Sequence, residues 1–224
     1  MARDTLTREQ IVRTAVELLD EDGLEGLNMR SLGKRLGAAA TAVYWHVKNK
    51  DELVLAAGDL VWHEIPLPER DPAQWRTAGT ALALDLHAML ARHPWLVQAF
   101  GSYLFHGPGK ARFDDHTLDL YERAGFTPAQ ADVIAAAVFT YVLGNALAVA
   151  ATASLHRRLG RDGQDPEQAI ADTMAKAVAV GRDYPRLRAR LDRESPADYA
   201  DAPEDTLELG LHALLAGLET RLAA

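Results

Sequence analysis

The chain has 224 residues, a formal net charge of −8 and no cysteine. Its length allows one large domain or two small ones, and without cysteine it has no disulfide, thiolate zinc site or cysteine nucleophile. We find no apolar run long enough for a membrane span and no apolar signal core after Met1, so we expect a cytoplasmic protein with no membrane partner.

The negative charge is unevenly distributed along the chain. Residues 1–50 carry eight Lys or Arg and seven Asp or Glu, a net charge of +1, whereas the remainder carries a net charge of −9. The acidic residues after position 50 would repel a polyanion, so we expect such a partner to bind only at the N-terminal part of the chain.

The first predicted helix begins at Thr7. Thr7-Arg8-Glu9-Gln10 is a capping-box sequence, with Thr7 as N-cap and Gln10 as the third helical residue. Apolar residues then recur with helical spacing as far as Leu19, and Gly23 is expected to end the helix.

Residues 28–50 predict a helix-turn-helix arrangement. We expect a short helix that ends at Leu36, a turn at residues 37–39 and a second helix of about two turns from Ala40 to Val47. Apolar pairs four residues apart let each helix bury one stripe. These pairs are Leu32 with Leu36 and Val43 with Val47.

The opposite side of this segment suits DNA. Burial of the apolar stripe leaves Thr41, Ala42, Tyr44, Trp45 and His46 facing outward, and residues 28–50 contain five Lys or Arg and no Asp or Glu. Exposed aromatic groups among cations are costly in water but can meet phosphates and thymine methyl groups. The alternative is a solvated helix pair in an ordinary helical bundle, which the exposed aromatic residues disfavour.

The rest of the chain predicts further helices. Asn49 caps a fourth helix that runs to about His63, and prolines at 66 and 68 mark a boundary. No segment alternates with period two, so the fold class is all-α. The predicted helices after the boundary cover 71–92, 95–105, 108–124, 128–155, a modest segment after Asp165, and 205–222, with exposed loops at 156–166 and 182–204.

This pattern predicts three parts. Residues 1–50 form a DNA-binding domain, residues 51–65 a connecting helix, and residues 66–224 a helical domain for ligand binding and dimerisation. The helices at 128–155 and 205–222 are so apolar that they need cover on most sides. We therefore expect a homodimer in which these two helices form a four-helix interface.

Residues 42–50, together with Glu52-Leu53, resemble the DNA-binding domain of the TetR family, and especially its tetracycline-repressor branch, whose recognition helix runs into a Tyr-Trp-His-Val-Lys-Asn-Lys segment. Residues 207–211 and 217–222 are similar to the closing helix of that branch, and Leu143-Gly144 falls at a Leu-Gly step in its long eighth helix. The resemblance implies a dimeric, all-helical regulator that responds to an effector and is usually a repressor.

The recognition segment also departs from that branch. Where the branch has Gln-Pro-Thr, this chain has Ala40-Thr41-Ala42, so we expect a different operator sequence. Tyr44, His46 and Lys50 match the motif and are expected at phosphates, with Arg30 and Thr41 as base readers. The complete set of expected DNA contacts is Arg30, Ala40, Thr41, Ala42, Tyr44, Trp45, His46, Lys48 and Lys50.

The second domain is expected to bind a small apolar or aromatic effector. Tetracycline repressors have Asn and Phe where this chain has Leu82 and Leu86, and only His106 echoes their metal-coordinating His. We therefore expect an effector other than tetracycline, no metal site and no cofactor. The candidate ligand contacts are His63, Leu82, Leu86, Tyr103, His106, Phe113, His116, Val138, Phe139 and Asn145, with His87 a further polar anchor.

Two other functions are weighed against this one. A small helical enzyme would use the histidines and carboxylates of residues 85–116, but the sequence has no Gly-rich phosphate loop, paired metal-ligand motif or nucleophile elbow. A ligand-independent architectural DNA binder would leave the large acidic helical domain without a purpose.

Overall fold

The computed structural model describes residues 6–192 and 206–222, and all regular structure in those ranges is helical, which confirms the predicted class. A short 3₁₀ turn at Pro72–Gln74 leads into the fifth helix. The helices are α1 Arg8–Gly26, α2 Met29–Arg35, α3 Ala40–Tyr44, α4 Lys50–Trp62, α5 Trp75–Arg92, α6 Pro94–Ala99, α7 Pro108–Arg123, α8 Pro128–Arg161, α9 Pro166–Gly181, α10 Pro185–Leu191 and α11 Thr206–Leu222.

The first three helices, called the reader below, fold around one apolar centre. The Thr7 hydroxyl accepts a hydrogen bond from Gln10 N at 3.2 Å, and the Gln10 side chain accepts one from Thr7 N at 2.9 Å, so the predicted capping box forms. Gly23 has φ 69° and interrupts α1 where the sequence predicts its end. The fully buried side chains at this centre include Ile11, Leu19, Leu32 and Val43.

Helix α4 connects the reader to the body. The Asn49 side chain accepts a hydrogen bond from Glu52 N at 2.8 Å, and the helix ends at Trp62, close to the predicted His63. Leu53 and Val54 are buried beside α1, whereas Trp62 is buried beside the aromatic residues of α7 and α8. One helix therefore contributes to both cores.

Helix α8 is longer than predicted, so the expected loop at 156–166 is wrong for residues 156–161. Basic residues in its last two turns reach α1, where Arg161 pairs with Glu25 at 2.8 Å, and this contact stabilises the extension. By length and composition α8 could cross a membrane, because no charged residue occurs between Asp132 and Arg157, and this corrects the expectation that no such run exists. Only 28% of its most apolar window is buried within the chain.

Three other boundaries differ from expectation. Helix α6 ends at Ala99, because residues 100–106 leave the helix as a turn and loop whose aromatic rings pack on other elements. Helix α3 ends at Tyr44, although Val47 N still bonds to Val43 O at 3.1 Å. The predicted loop at 182–204 contains α10, and its part from residue 193 lies outside the described residues.

Candidate nucleic-acid interface and ligand cavity

Helices α2 and α3 form a tight helix-turn-helix. Asn28 caps α2 by accepting a hydrogen bond from Ser31 N at 2.9 Å. Gly33 lies so close to the turn that a Cβ would come 2.8 Å from Ala38 O, and Gly37 has φ 61°. Two glycines therefore allow the close crossing of the two helices.

The outer side of α3 and of the turn after it is aromatic and exposed. Trp45 is 88% exposed and Tyr44 53% exposed, while Val43 and Val47 are buried, as the spacing predicts. Thr41 is also exposed, and Ala40, Ala42 and His46 are half-buried. Two large aromatic side chains next to each other in the sequence are thus exposed on a surface that also carries free cations, which is the composition of a binding surface and not that of a lone exposed residue.

The cations of residues 28–50 differ in how far they are free to bind a partner. Arg30, Lys34 and Lys48 are exposed, and their side chains have no bonded partner in the described part of the chain. Arg35 is held by Glu21 through two hydrogen bonds of 2.5 Å. Lys50 is half-buried, and its ammonium donates to Leu24 O at 2.5 Å, so it supports the fold of the reader as well.

A cavity of about 450 Å³ opens among the loop after α6, helix α7 and the first turns of α8. Its walls are mainly apolar and include five aromatic residues. Some of these rings pack on each other, with centroids 5.2 Å apart for Phe100 and Phe105 and 5.5 Å apart for Phe100 and Phe139. The lining residues are Phe100, Tyr103, Leu104, Phe105, Lys110, Phe113, Asp114, Thr117, Leu118, Asp132, Ala135, Ala136 and Phe139.

The structure gathers some of the expected ligand contacts and separates others. Tyr103, Phe113 and Phe139 line the cavity. Leu82, Leu86 and Val138 line a narrow space of about 20 Å³ that shares Phe113 and Phe139 with it. These six residues therefore surround two adjacent spaces with a shared wall.

The polar candidates lie elsewhere. His63 is the exposed C-cap of α4, and the ring of the exposed His106 lies 3.1 Å from Leu104 O. His116 is buried outside the cavity lining, where burial and the nearby Arg70 lower its pKa. Asn145 donates to Tyr141 O at 2.8 Å. His87 is half-buried, and burial lowers its pKa.

Sequence reasoning missed much of the wall. Phe100, Leu104 and Phe105 fall at the end of a segment that the sequence predicts to be helical. All five phenylalanines of the chain lie between positions 100 and 139, and four of them line the cavity. Lys110, Asp114 and Asp132 carry the charges of the wall but have no motif that would mark them. Among the described residues, no group of three or more His, Asp or Glu is placed to hold a metal ion.

Helices α4 and α7 cap each other. Asp59 on α4 accepts hydrogen bonds from Gly109 N at 2.9 Å and Lys110 N at 3.1 Å, at the start of α7. Arg112 on α7 donates to Ile65 O at 2.9 Å, just beyond the end of α4. A carboxylate at a helix start and a guanidinium beyond a helix end both oppose the partial charges of the helix dipole. Hydrogen bonds from charged side chains therefore hold the two helices together at two points.

A second polar cluster joins the reader to the body. Buried His93 lies with Nδ1 2.7 Å from Asp20 Oδ1 on α1 and Nε2 3.1 Å from Glu64 Oε1 after α4. Trp95 Nε1 donates to the same Asp20 oxygen at 2.8 Å. Burial lowers the pKa of His93, but the hydrogen bonds and charges of Asp20 and Glu64 outweigh burial, so the pKa is raised.

The sequence matches two family models that together span most of the chain. Residues 11–57 match the bacterial regulatory proteins of the tetR family, and residues 67–222 match the tetracyclin repressor-like C-terminal domain. The chain belongs to the tetR family. This finding confirms the resemblance carried by residues 42–50, and the protein is a DNA-binding transcriptional regulator. Members of the tetR family function as dimers.

Individual relatives of this tetR family protein are similar along nearly the whole chain. An HTH-type transcriptional regulator of Saccharopolyspora erythraea is 35% identical over 95% of this chain and 84% of its own length. The tetracycline repressor protein class C of Escherichia coli is 31% identical over 96% and 91%. The Streptomyces coelicolor TetR family protein ActR, in complex with actinorhodin, has a TM-score of 0.75 and 26% identity, with 99% of this chain and 100% of that chain covered.

Proposed function

We propose that this protein is a cytoplasmic, homodimeric repressor that leaves its operator when a small aromatic compound enters the cavity. One observation carries the proposal: a cavity of about 450 Å³ has five aromatic residues in its wall, and two of them, Phe105 and Phe113, pack on Gly58 and Trp62 of α4, the helix that follows the reader. Cavities of this size and lining are usual for small-molecule sites. The relatives support it, since one is a tetracycline repressor and another is in complex with actinorhodin.

The reader would place α3 in the major groove. Arg30 and Thr41 are the proposed base readers, and Tyr44, His46 and Lys48 the proposed phosphate contacts, with Lys50 dividing its role between phosphate and Leu24 O. Ala40, Ala42 and Trp45 would lie against the groove wall. A dimer would read two half-sites whose centres are about 34–36 Å apart, or somewhat further.

Dimerisation would cover the apolar surface of α8 and α11, the helices predicted at 128–155 and 205–222. Leu147 on α8 is 60% exposed and Leu209 on α11 is 71% exposed, and Val133 and Val149 add to this surface. Face-to-face packing of the two helices with a second copy would form a four-helix bundle. A partner copy, rather than lipid, accounts for the apolar length of α8, because its other side packs on α5, α6 and α7.

Ligand entry would act on the reader through α4. A ring compound that displaces the wall of the cavity would move the start of α7, and with it Asp59 and α4. The loop before α7 is attached to α4 a second time, where the Tyr103 hydroxyl donates to Asp51 at 2.9 Å. A coupling free energy of about 1–3 kcal/mol between the cavity and the reader would be enough for regulation. No catalytic step is part of this proposal.

Tetracycline is not the proposed effector. None of His63, His106, His116 and Asn145 lines the cavity, so a polar, metal-chelated drug would find few matching groups. Each buried polar group that a ligand leaves unmatched costs about 1–3 kcal/mol. A flatter and more apolar compound suits the wall better.

The test is a titration of fluorescent DNA from beside the gene of this protein, followed by fluorescence anisotropy. Actinorhodin, other fused-ring aromatic compounds and tetracycline with magnesium are then added. Release by an aromatic compound, lost in the cavity-filling variant Ala136→Phe while that variant still binds DNA, supports the proposal. Equal release of both proteins, or no release by any compound that binds the wild type, contradicts it.

A further inference from the structure

The polar groups on the cavity wall are nearly all bonded within the protein. Tyr103 donates to Asp51, and Thr117 donates to Phe113 O at 2.8 Å. Lys110 and Asp114 form an ion pair of 2.5 Å. These groups are already satisfied, so they offer little to an incoming ligand unless an existing bond breaks.

Asp132 is different. It lies on the second turn of α8 and is exposed, and its carboxylate has no hydrogen-bond or ion-pair partner among the described residues. Every other polar side chain of the lining has a hydrogen-bond or ion-pair partner among the described residues. A ligand therefore meets a single free charge on this wall, and that charge is negative.

Lys110, the only cation of the lining, already has a carboxylate partner. The Lys110 ammonium contacts Asp114 and also lies 5.4 Å from the centroid of the Trp62 ring. An anionic ligand would have to displace Asp114 from Lys110 and would leave that carboxylate unpaired beside Asp132. A cationic ligand would require neither change.

The aromatic wall favours the same sign of charge. Ring faces carry negative electrostatic potential, so they attract cations that approach within about 6 Å of the ring centre. Phe100, Tyr103, Phe105, Phe113 and Phe139 all contribute rings to this wall. Fused aromatic rings can stack among them while a positive group reaches the rim.

We propose that the effector is an aromatic organic cation whose rings lie among these side chains and whose positive group pairs with Asp132. This inference rests on the proposed function, because it specifies the ligand of the same cavity. An exposed ion pair and a cation–π contact together favour the cation by about five- to tenfold over an anion of the same shape.

The experiment compares three tricyclic probes by isothermal titration calorimetry of the full chain without DNA. Proflavine is the cation, anthracene carboxylate the anion and hydroxymethylanthracene the neutral compound. We expect proflavine to bind about five- to tenfold more tightly than the anion. Asp132→Asn should remove most of that preference while leaving the neutral compound unaffected. Glu122→Gln removes one exposed, unpartnered charge from α7 outside the lining and should leave the preference intact.

Three results would overturn the inference: equal or tighter binding of the anion, the same preference in Asp132→Asn as in the wild type, or no binding of any probe. Failure of the proposed function would be distinct. In that case proflavine would bind as expected, but DNA release measured with a non-intercalating aromatic cation would be the same in the wild type and in Ala136→Phe.

Discussion

His93 should make the protein less stable as the pH rises above neutrality. Its side chain is 8% exposed and lies between Asp20 and Glu64, with both ring nitrogens at hydrogen-bond distance from a carboxylate oxygen. A neutral imidazole can donate from only one nitrogen, whereas the imidazolium donates from both. The geometry therefore fits the protonated ring, and the raised pKa agrees with it.

The sign of the pH effect follows from that pKa. A group whose pKa is raised on folding binds its proton more tightly in the folded state. Its contribution to the free energy of unfolding is complete below the unfolded-state value, about pH 6.5 for histidine. That contribution is lost as the pH rises through the higher pKa of folded His93.

The magnitude can be estimated from the contacts. His93→Gln removes the positive charge and one of the two charge-assisted hydrogen bonds, each of which contributes about 1.5–3 kcal/mol when buried. The Asp20 and Glu64 side chains are 32% and 39% exposed, so solvent screens part of that interaction. We therefore expect a loss of about 1–3 kcal/mol near pH 6 that shrinks at higher pH.

The assay is urea unfolding at one fixed protein concentration, because the stability of a dimer depends on concentration. Wild type and His93→Gln are compared at several values between about pH 6 and pH 8.5. His87→Gln is the matched control: burial lowers the pKa of His87, so its contribution is present above the unfolded value and lost as the pH falls. A His93 difference that is constant across the range, or that grows with pH, would refute the reasoning.

Three further predictions concern the reader, the α4–α7 contact and the dimer. Lys48→Ala should weaken binding to all DNA sequences alike and reduce the slope of log affinity against log salt concentration by about one. Lys50→Ala should also lower the melting temperature, because the variant loses the hydrogen bond from the Lys50 ammonium to Leu24 O. Asp59→Ala should cost about 0.5–2 kcal/mol and speed hydrogen exchange at the start of α7, measured by mass spectrometry. Leu147→Glu should convert dimers to monomers in light scattering.

Each of these predictions has a contradicting outcome. Equal loss of stability in Lys48→Ala and Lys50→Ala would count against the structural role of Lys50. The control for Asp59 is Asp115→Ala, because Asp115 is exposed on α7 and has no partner among the described residues. Exchange at the start of α7 that rises equally in both variants would remove the case for the cap. A Leu147→Glu protein that stays dimeric would move the interface elsewhere.

The local features of the fold were predictable because their causes are local. The caps at Thr7 and Asn49 depend on residues only three positions apart, and both form. The early end of α6 was not predictable in the same way. Residues 100–105 are apolar enough to continue a helix, and they leave it to pack Phe105 on Phe100 and on α4.

The same distinction between local and long-range causes applies to the candidate sites. Exposure of Tyr44 and Trp45 follows from the burial of Val43 and Val47 within one short segment. The engagement of Lys50 depends on a carbonyl 26 residues earlier, which no spacing rule indicates. The free carboxylate in the cavity was equally invisible, since a residue is free only when no distant group reaches it.

Helix α4 packs on the reader near its start and on residues of the cavity wall near its end. It has 13 residues, a length of about 20 Å, and its glycine at position 58 lies against the Phe105 ring, where a Cβ would overlap that ring. At its end Trp62 lies with its ring centroid 5.0 Å from that of Phe113, a residue of the cavity wall. Near its start Leu53 is buried in the core of the reader, so α4 cannot shift at the cavity without moving that core. Under the proposed function, a ligand would change DNA binding without contacting the reader, because close packing would transmit the displacement along one helix.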